Sequence, residues 1–136
     1  MKPPLAVDSS ALVAILAREA EGAEFAAVLA RSPVFIGWPT ILETRLWIIK
    51  HAPALGAWLD AFVARDLTTD LAFDAAQERL AGEAFHRFGK GRHPASLNFG
   101  DCMTYAAAQS KGAPLLFKGG DFGKTDVAVH PASVLV

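Results

Sequence analysis

The side chains best equipped for chemistry in this sequence are carboxylates placed where local pattern predicts the ends of elements. Asp8 closes the apolar run Leu5-Ala6-Val7, and Asp121 follows Pro114-Leu115-Leu116-Phe117 after the pair Gly119-Gly120. Glu43 and Asp101 stand in the first turns of two expected helices, at Thr40-Ile41-Leu42-Glu43 and Asn98-Phe99-Gly100-Asp101. Leu46 and Trp47 put Glu43 on a partly apolar face, and Thr104 and Tyr105 stack with Asp101. Anions gathered in one cleft repel one another. A hard divalent cation, Mg²⁺ or Mn²⁺, relieves that repulsion with oxygen ligands and retained waters. Such an ion lowers the pKa of a bound water and holds a phosphate oxygen, which is the equipment for phosphodiester hydrolysis.

Each acid also has a purely structural reading. Thr40-x-x-Glu43 is a capping box, Asn98-x-x-Asp101 is nearly one, and Asp8 is a reasonable N-cap. Gly-Gly-Asp at 119–121 is ordinary turn chemistry. A second feature is the basic segment His86 to His93, in which Arg87, Lys90, Arg92 and His93 surround Phe88. It reads either as a contact for a nucleic-acid backbone or as a solvated helix end whose cations complement the macrodipole. Arg45 and Lys50 read as surface cations, the tryptophans as core or subunit interface, and Cys102 as a small buried residue.

The elements that must position these residues follow from apolar spacing and punctuation. Strands are expected at Leu5-Ala6-Val7, Val34-Phe35-Ile36, 114–117 and 127–130. Helices are expected over 11–18, 24–30, 40–50, 55–65, 70–88 and 98–111, with a break at Gly37-Trp38-Pro39 and a loop over 89–94. Short strands alternating with helices predict an α/β fold with a parallel sheet covered on both faces. In such sheets ligands bind beyond the carboxyl ends of the strands, where Asp8 and Asp121 would project.

Composition narrows the field further. The chain has 136 residues, 52% of them hydrophobic and 20% charged, enough for one compact domain with a core. Thirteen Lys and Arg against fourteen Asp and Glu leave a formal charge of −1, which disfavours a generic coating of polyanions. The single cysteine excludes an intramolecular disulfide and any multi-cysteine zinc pattern. Gly123-Lys124-Thr125 lacks the glycine a P-loop needs at Lys118, and the histidines at 51, 86, 93 and 130 never pair on one helix face. With no signal peptide and no membrane span expected, the anticipated location is cytoplasmic.

Certain stretches resemble a known family. Val-Asp-Ser-Ser-Ala-Leu-Val-Ala-Ile-Leu at 7–16 looks like the opening of PIN-domain ribonucleases. The runs Gly-Lys-Gly-Arg-His-Pro-Ala-Ser-Leu-Asn-Phe-Gly-Asp-Cys at 89–102 and Pro-Leu-Leu-Phe-Lys-Gly-Gly-Asp-Phe at 114–122 resemble VapC-type toxins of bacterial toxin–antitoxin pairs. The likeness covers essentially the whole chain. It implies one PIN domain over 1–136, with a three-layer fold in which helices flank a short parallel sheet. It further implies endoribonuclease activity, commonly on transfer or ribosomal RNA loops, with Asp8, Glu43, Asp101 and Asp121 as the acidic quartet that binds Mg²⁺ or Mn²⁺.

By the same likeness, Asp126 is an alternative fourth acid or a supporting residue behind the ligands, and Ser10 orients a ligand or a bound water. Arg87, Lys90, Arg92 and His93 become an RNA entry rim. The implied partners are RNA, a VapB-type antitoxin whose carboxyl-terminal segment fills the groove, and a second copy of the chain in a homodimer. The competing reading keeps the fold and makes it a non-catalytic module that docks a basic peptide. A DNA nuclease shares the chemistry, and only the resemblance favours RNA.

Overall fold

The computed structural model describes residues 2–136. Chain order runs β1 (Leu5–Val7), α1 (Ser9–Leu16), α2 (Gly22–Arg31), β2 (Val34–Gly37) and α3 (Trp38–His51). A 3₁₀ turn at Pro53–Leu55 leads into α4 (Gly56–Val63), β3 (Thr68–Leu71), α5 (Ala75–Phe88) and α6 (Phe99–Lys111). Then come β4 (Leu115–Leu116), β5 (Lys118–Gly119), a second 3₁₀ turn at Phe122–Lys124, and β6 (Val134–Leu135).

The main sheet has the order β3-β2-β1-β4, every neighbour parallel, with Leu5 opposite Val34 and Ala6 opposite Leu115. Alternation along these strands divides the core in two. Ala6, Phe35 and Leu115 face α5 and α6, where Ala84, Phe88, Tyr105 and Ala108 pack. Leu5, Val7, Val34, Ile36 and Leu116 face α1 to α4, where Leu12, Phe25, Ile41, Ile48 and Leu59 pack. The expected three-layer α/β architecture is therefore present. Because all four strands run the same way, the segments leaving β1, β2 and β4 emerge at one edge.

Four local expectations are corrected. Gly37-Trp38-Pro39 does not separate strand from helix: Gly37 is itself the N-cap of α3 and Pro39 sits in the first turn, where its missing N–H breaks no helical bond. Thr40 is consequently inside the helix and Thr40-x-x-Glu43 is no capping box. Residues 70–71 belong to β3 rather than to a helix, and α5 begins after its N-cap Asp74, whose side chain accepts from the Gln77 N–H. The stretch 127–130 forms only one bridge, Leu115 with Val129, and the last strand lies further on, at Val134–Leu135 beside β5.

Candidate active site at the carboxyl edge of the sheet

Asp8 leaves β1 and caps α1, its Oδ2 accepting from the Ser10 N–H at 3.1 Å. It is 5% exposed, and its second oxygen accepts from the Thr104 hydroxyl at 2.8 Å. Thr104 has one proton and gives it to Asp8. The 3.1 Å contact between the Thr40 and Thr104 hydroxyls is therefore donated by Thr40. In turn the Thr40 carbonyl accepts from the Thr44 hydroxyl at 2.9 Å. This chain of hydroxyls ties α3 and α6 to the carboxylate at the end of β1.

Asp101 completes a reciprocal capping box: its Oδ2 accepts from the Asn98 N–H at 3.1 Å, while Asn98 accepts from the Asp101 N–H at 2.9 Å. One carboxylate oxygen serves the helix and the other makes no hydrogen bond among the described residues. Burial pushes its carboxyl up to about 6, the Asn98 N–H opposes this, and the charges of Asp8, Asp121 and Glu43 add to the rise. All four acids are thus within electrostatic reach of one point. Burial also pushes the Cys102 thiol, with Asp101 beside it, up to about 11, so no thiolate nucleophile operates here.

Glu43 keeps an edge in solvent, yet the protein around it raises its carboxyl above the usual range; the Ser9 hydroxyl opposes the rise and Asp8 adds to it. Ser9 donates to Glu43 Oε1 at 2.7 Å. Gly100 lies so close to Glu43 that a Cβ there would sit 2.7 Å from Oε2. A side chain at position 100 would displace the carboxylate, so the residue before Asp101 is small for the sake of another acid. Asp121 is exposed and follows β5, which β6 splints through Lys118 with Val134 and Gly119 with Leu135.

The remaining sequence-derived candidates fall elsewhere. Asp126 is not gathered with the quartet: Tyr105 donates to its Oδ1 and Arg87 pairs with its Oδ2 at 3.1 Å. Arg87 is therefore engaged, and it also lies 4.6 Å from the Phe88 ring centre. Arg92 bonds the His86 carbonyl and ring, and His93 Nδ1 accepts from the Ala95 N–H. Lys90 is exposed and makes no ion pair among the described residues. Ser10 turns its hydroxyl to the Lys118 N–H rather than to an acid. The residues that sequence reasoning missed are Ser9, which holds Glu43, and Thr40 with Thr104, which hold Asp8. The Asp101/Thr104 stacking was the one available signal.

Among the described residues no three His, Cys, Asp or Glu side chains converge closely enough to form a ready-made metal cage. Two comparisons bear on what the gathered acids belong to. The PIN-domain family model matches residues 5–128. The chain belongs to the PIN-domain family. Its curated relatives are of the VapC type: it is 43% identical over 129 residues to a ribonuclease VapC of Mycolicibacterium smegmatis, covering 93% of this chain and all of that one. It is 41% identical over 126 residues to ribonuclease VapC30 of Mycobacterium tuberculosis, covering 91% of this chain and 96% of that one.

Among solved PIN-fold structures, the chain superposes on Mycobacterium tuberculosis VapC20, a sarcin–ricin loop cleaving toxin, with a TM-score of 0.73 and 20% identity; the match spans 90% of this chain and 95% of that one. It also superposes on the Rickettsia felis VapBC2 complex bound to promoter DNA, with a TM-score of 0.64 and 14% identity over 98% of this chain and 97% of that one. The fold of this PIN-family member is that of the VapC toxins. No helix among its described residues is long and apolar enough to cross a membrane.

Proposed function

We propose that this chain is a cytoplasmic endoribonuclease toxin, a single PIN domain neutralised by a VapB-type antitoxin, whose Asp8, Glu43, Asp101 and Asp121 form the acidic site for Mg²⁺ or Mn²⁺, directly or through the ion's waters. The observation that carries the reading is the Asp101 carboxyl, pushed up to about 6 by burial and by three further carboxylates. Capping accounts for one of its oxygens and leaves the other, and the accumulated negative charge, without a structural purpose. The donor set fits a hard cation. Mg²⁺ commonly takes one or two protein carboxylates and keeps its waters, so it needs no closed three-residue cage. When bound, such a cation supplies a water of lowered pKa and offsets charge on phosphoryl oxygens.

The chain's own residues do the positioning. Asp8 is fixed by the Thr104 hydroxyl and the Ser10 N–H, so its orientation is set before any ligand arrives. Glu43, steadied by Ser9, lies on the solvent side of the site, where RNA would approach. Lys90, which has no ion-pair partner among the described residues, is the cation of the proposed RNA rim left open to RNA. The relatives named ribonucleases support RNA as substrate, and the Rickettsia complex supports an antitoxin partner. Exposed Trp38, Leu42, Leu46 and Ile49 recur along one stripe of α3, and the first three share a groove with exposed Phe73 and Phe99, which supports a homodimer across that face.

End-sequenced mapping of cellular RNA after induction tests the proposal, with Asp101→Asn and Lys90→Ala alongside. Discrete new ends that vanish in Asp101→Asn, and weaken in Lys90→Ala, are expected. The basic-peptide module draws on the intact Asn98–Asp101 capping box. It predicts no new ends for any form of the protein, and that result would sink the nuclease reading.

A further inference from the structure

Most cations singled out in the basic segment are engaged within the fold, whereas Lys2 and Arg31 have no ion-pair partner among the described residues. Both line a cavity of about 300 Å³ at the amino-terminal edge of the sheet, opposite the carboxylates. It lies where the chain enters β1, β2 and β4, and no acidic residue lines it.

Two further polar side chains line it, His130 and Ser32. His130 Nδ1 accepts from the Ala132 N–H at 3.1 Å, so the proton of the neutral ring is on Nε2. Burial alone holds this imidazole below its usual pKa, with no neighbouring acid to raise it. Ser32 is 4% exposed and lies at the carboxyl end of α2, where its hydroxyl is available as a donor. Four prolines, Pro3, Pro4, Pro114 and Pro131, form the walls. Their locked φ makes the site rigid in advance of binding, and they contribute no N–H, so recognition falls to the side chains.

Two cations, an N–H and a hydroxyl around a small rigid cavity match a tetrahedral oxyanion. We propose that this cavity binds a phosphate group, with Arg31 and Lys2 as the charged partners and His130 Nε2–H and Ser32 as neutral donors. The site is separate from the acidic cleft, and its existence does not depend on the nuclease reading. The phosphate could come from a free nucleotide or from an RNA strand, and both present the same oxygens to these donors.

The test follows the His130 ring resonances by NMR during titration with inorganic phosphate, adenosine 5′-monophosphate, or a single-stranded oligoribonucleotide. The RNA arm uses Asp101→Asn so that the strand survives. Saturable shifts are expected, with His130 titrating at higher pH in the bound form and affinity falling at least tenfold in Arg31→Gln. A mononucleotide that binds more tightly than the strand identifies a free nucleotide as the source, and the reverse order identifies RNA. Arg31 and Lys2 are exposed, so Arg31→Gln and Lys2→Gln retain the fold, which circular dichroism verifies. Shifts reproduced by chloride at matched ionic strength, or unchanged by both substitutions, would overturn the proposal.

Discussion

Replacing Asp101 with asparagine should make the metal-free protein more stable. In the unfolded chain this carboxyl titrates near 3.8, and in the fold it is pushed up to about 6. At about 1.4 kcal/mol per tenfold change in proton affinity, that corresponds to about 3 kcal/mol. Solvent reaching the partly buried group reduces the figure to about 1–2 kcal/mol. The sign follows from where the proton sits. Between the two titration points the folded state holds a proton that the unfolded state has lost, so stability falls as pH rises through about 4 to 6 and is level above.

The amide of Asp101→Asn keeps an oxygen for the Asn98 N–H, so the capping box survives while the charge is removed. Urea unfolding followed by circular dichroism, in chelator from pH 4 to 8, measures the difference. The variant should gain about 1–2 kcal/mol at pH 7 and above, with the gain shrinking toward pH 4. A variant less stable than wild type at pH 7.5, or a difference that ignores pH, would show that Asp101 acts as a cap and carries no electrostatic strain.

Thr104→Val keeps the shape of the side chain and removes the donor to Asp8 Oδ1, leaving a buried carboxylate short of a partner. It should cost about 2 kcal/mol in urea unfolding, with Thr104→Ser restoring most of that; an unchanged midpoint would exclude the hydroxyl chain as a support. Leu46→Glu places a charge on the exposed apolar stripe of α3, where Leu46 is 57% exposed. Sedimentation should then show a monomer with an unchanged circular dichroism spectrum, and a persistent dimer would move the subunit contact to another face.

The parts of the fold legible in the sequence were those with an unambiguous period or stop. Val34-Phe35-Ile36, the α6 start at Asn98 and its end at Gly112, whose φ is +58°, all lie where local chemistry allows few alternatives. The edge strand Thr68–Leu71 was illegible because it pairs on one side only and exposes Thr69 and Asp70, so it lacks an apolar alternation. Pro39 was read as a breaker although the same residue starts a helix when glycine precedes the turn.

In the site, the four acids were visible as types at element ends. Their supports were not. Ser9 reaches Glu43 across thirty-four positions and Thr104 reaches Asp8 across ninety-six, and neither pairing leaves a local pattern. Ser10 stands two residues after Asp8 in the sequence, but the helix turns its hydroxyl toward the Lys118 N–H instead of toward an acid.

The short parallel seam between Lys118–Gly119 and Val134–Leu135 has a genetic consequence. Asp121 rides on a segment anchored by this seam and by Ser133, whose hydroxyl accepts from the Phe117 N–H and donates to the Leu115 carbonyl. If the protein arrests growth, a selection for surviving cells would recover lesions at Ser133 and Val134 as well as at the acids. A mutational map read without the structure would then assign chemistry to residues whose part is to hold one acid in place.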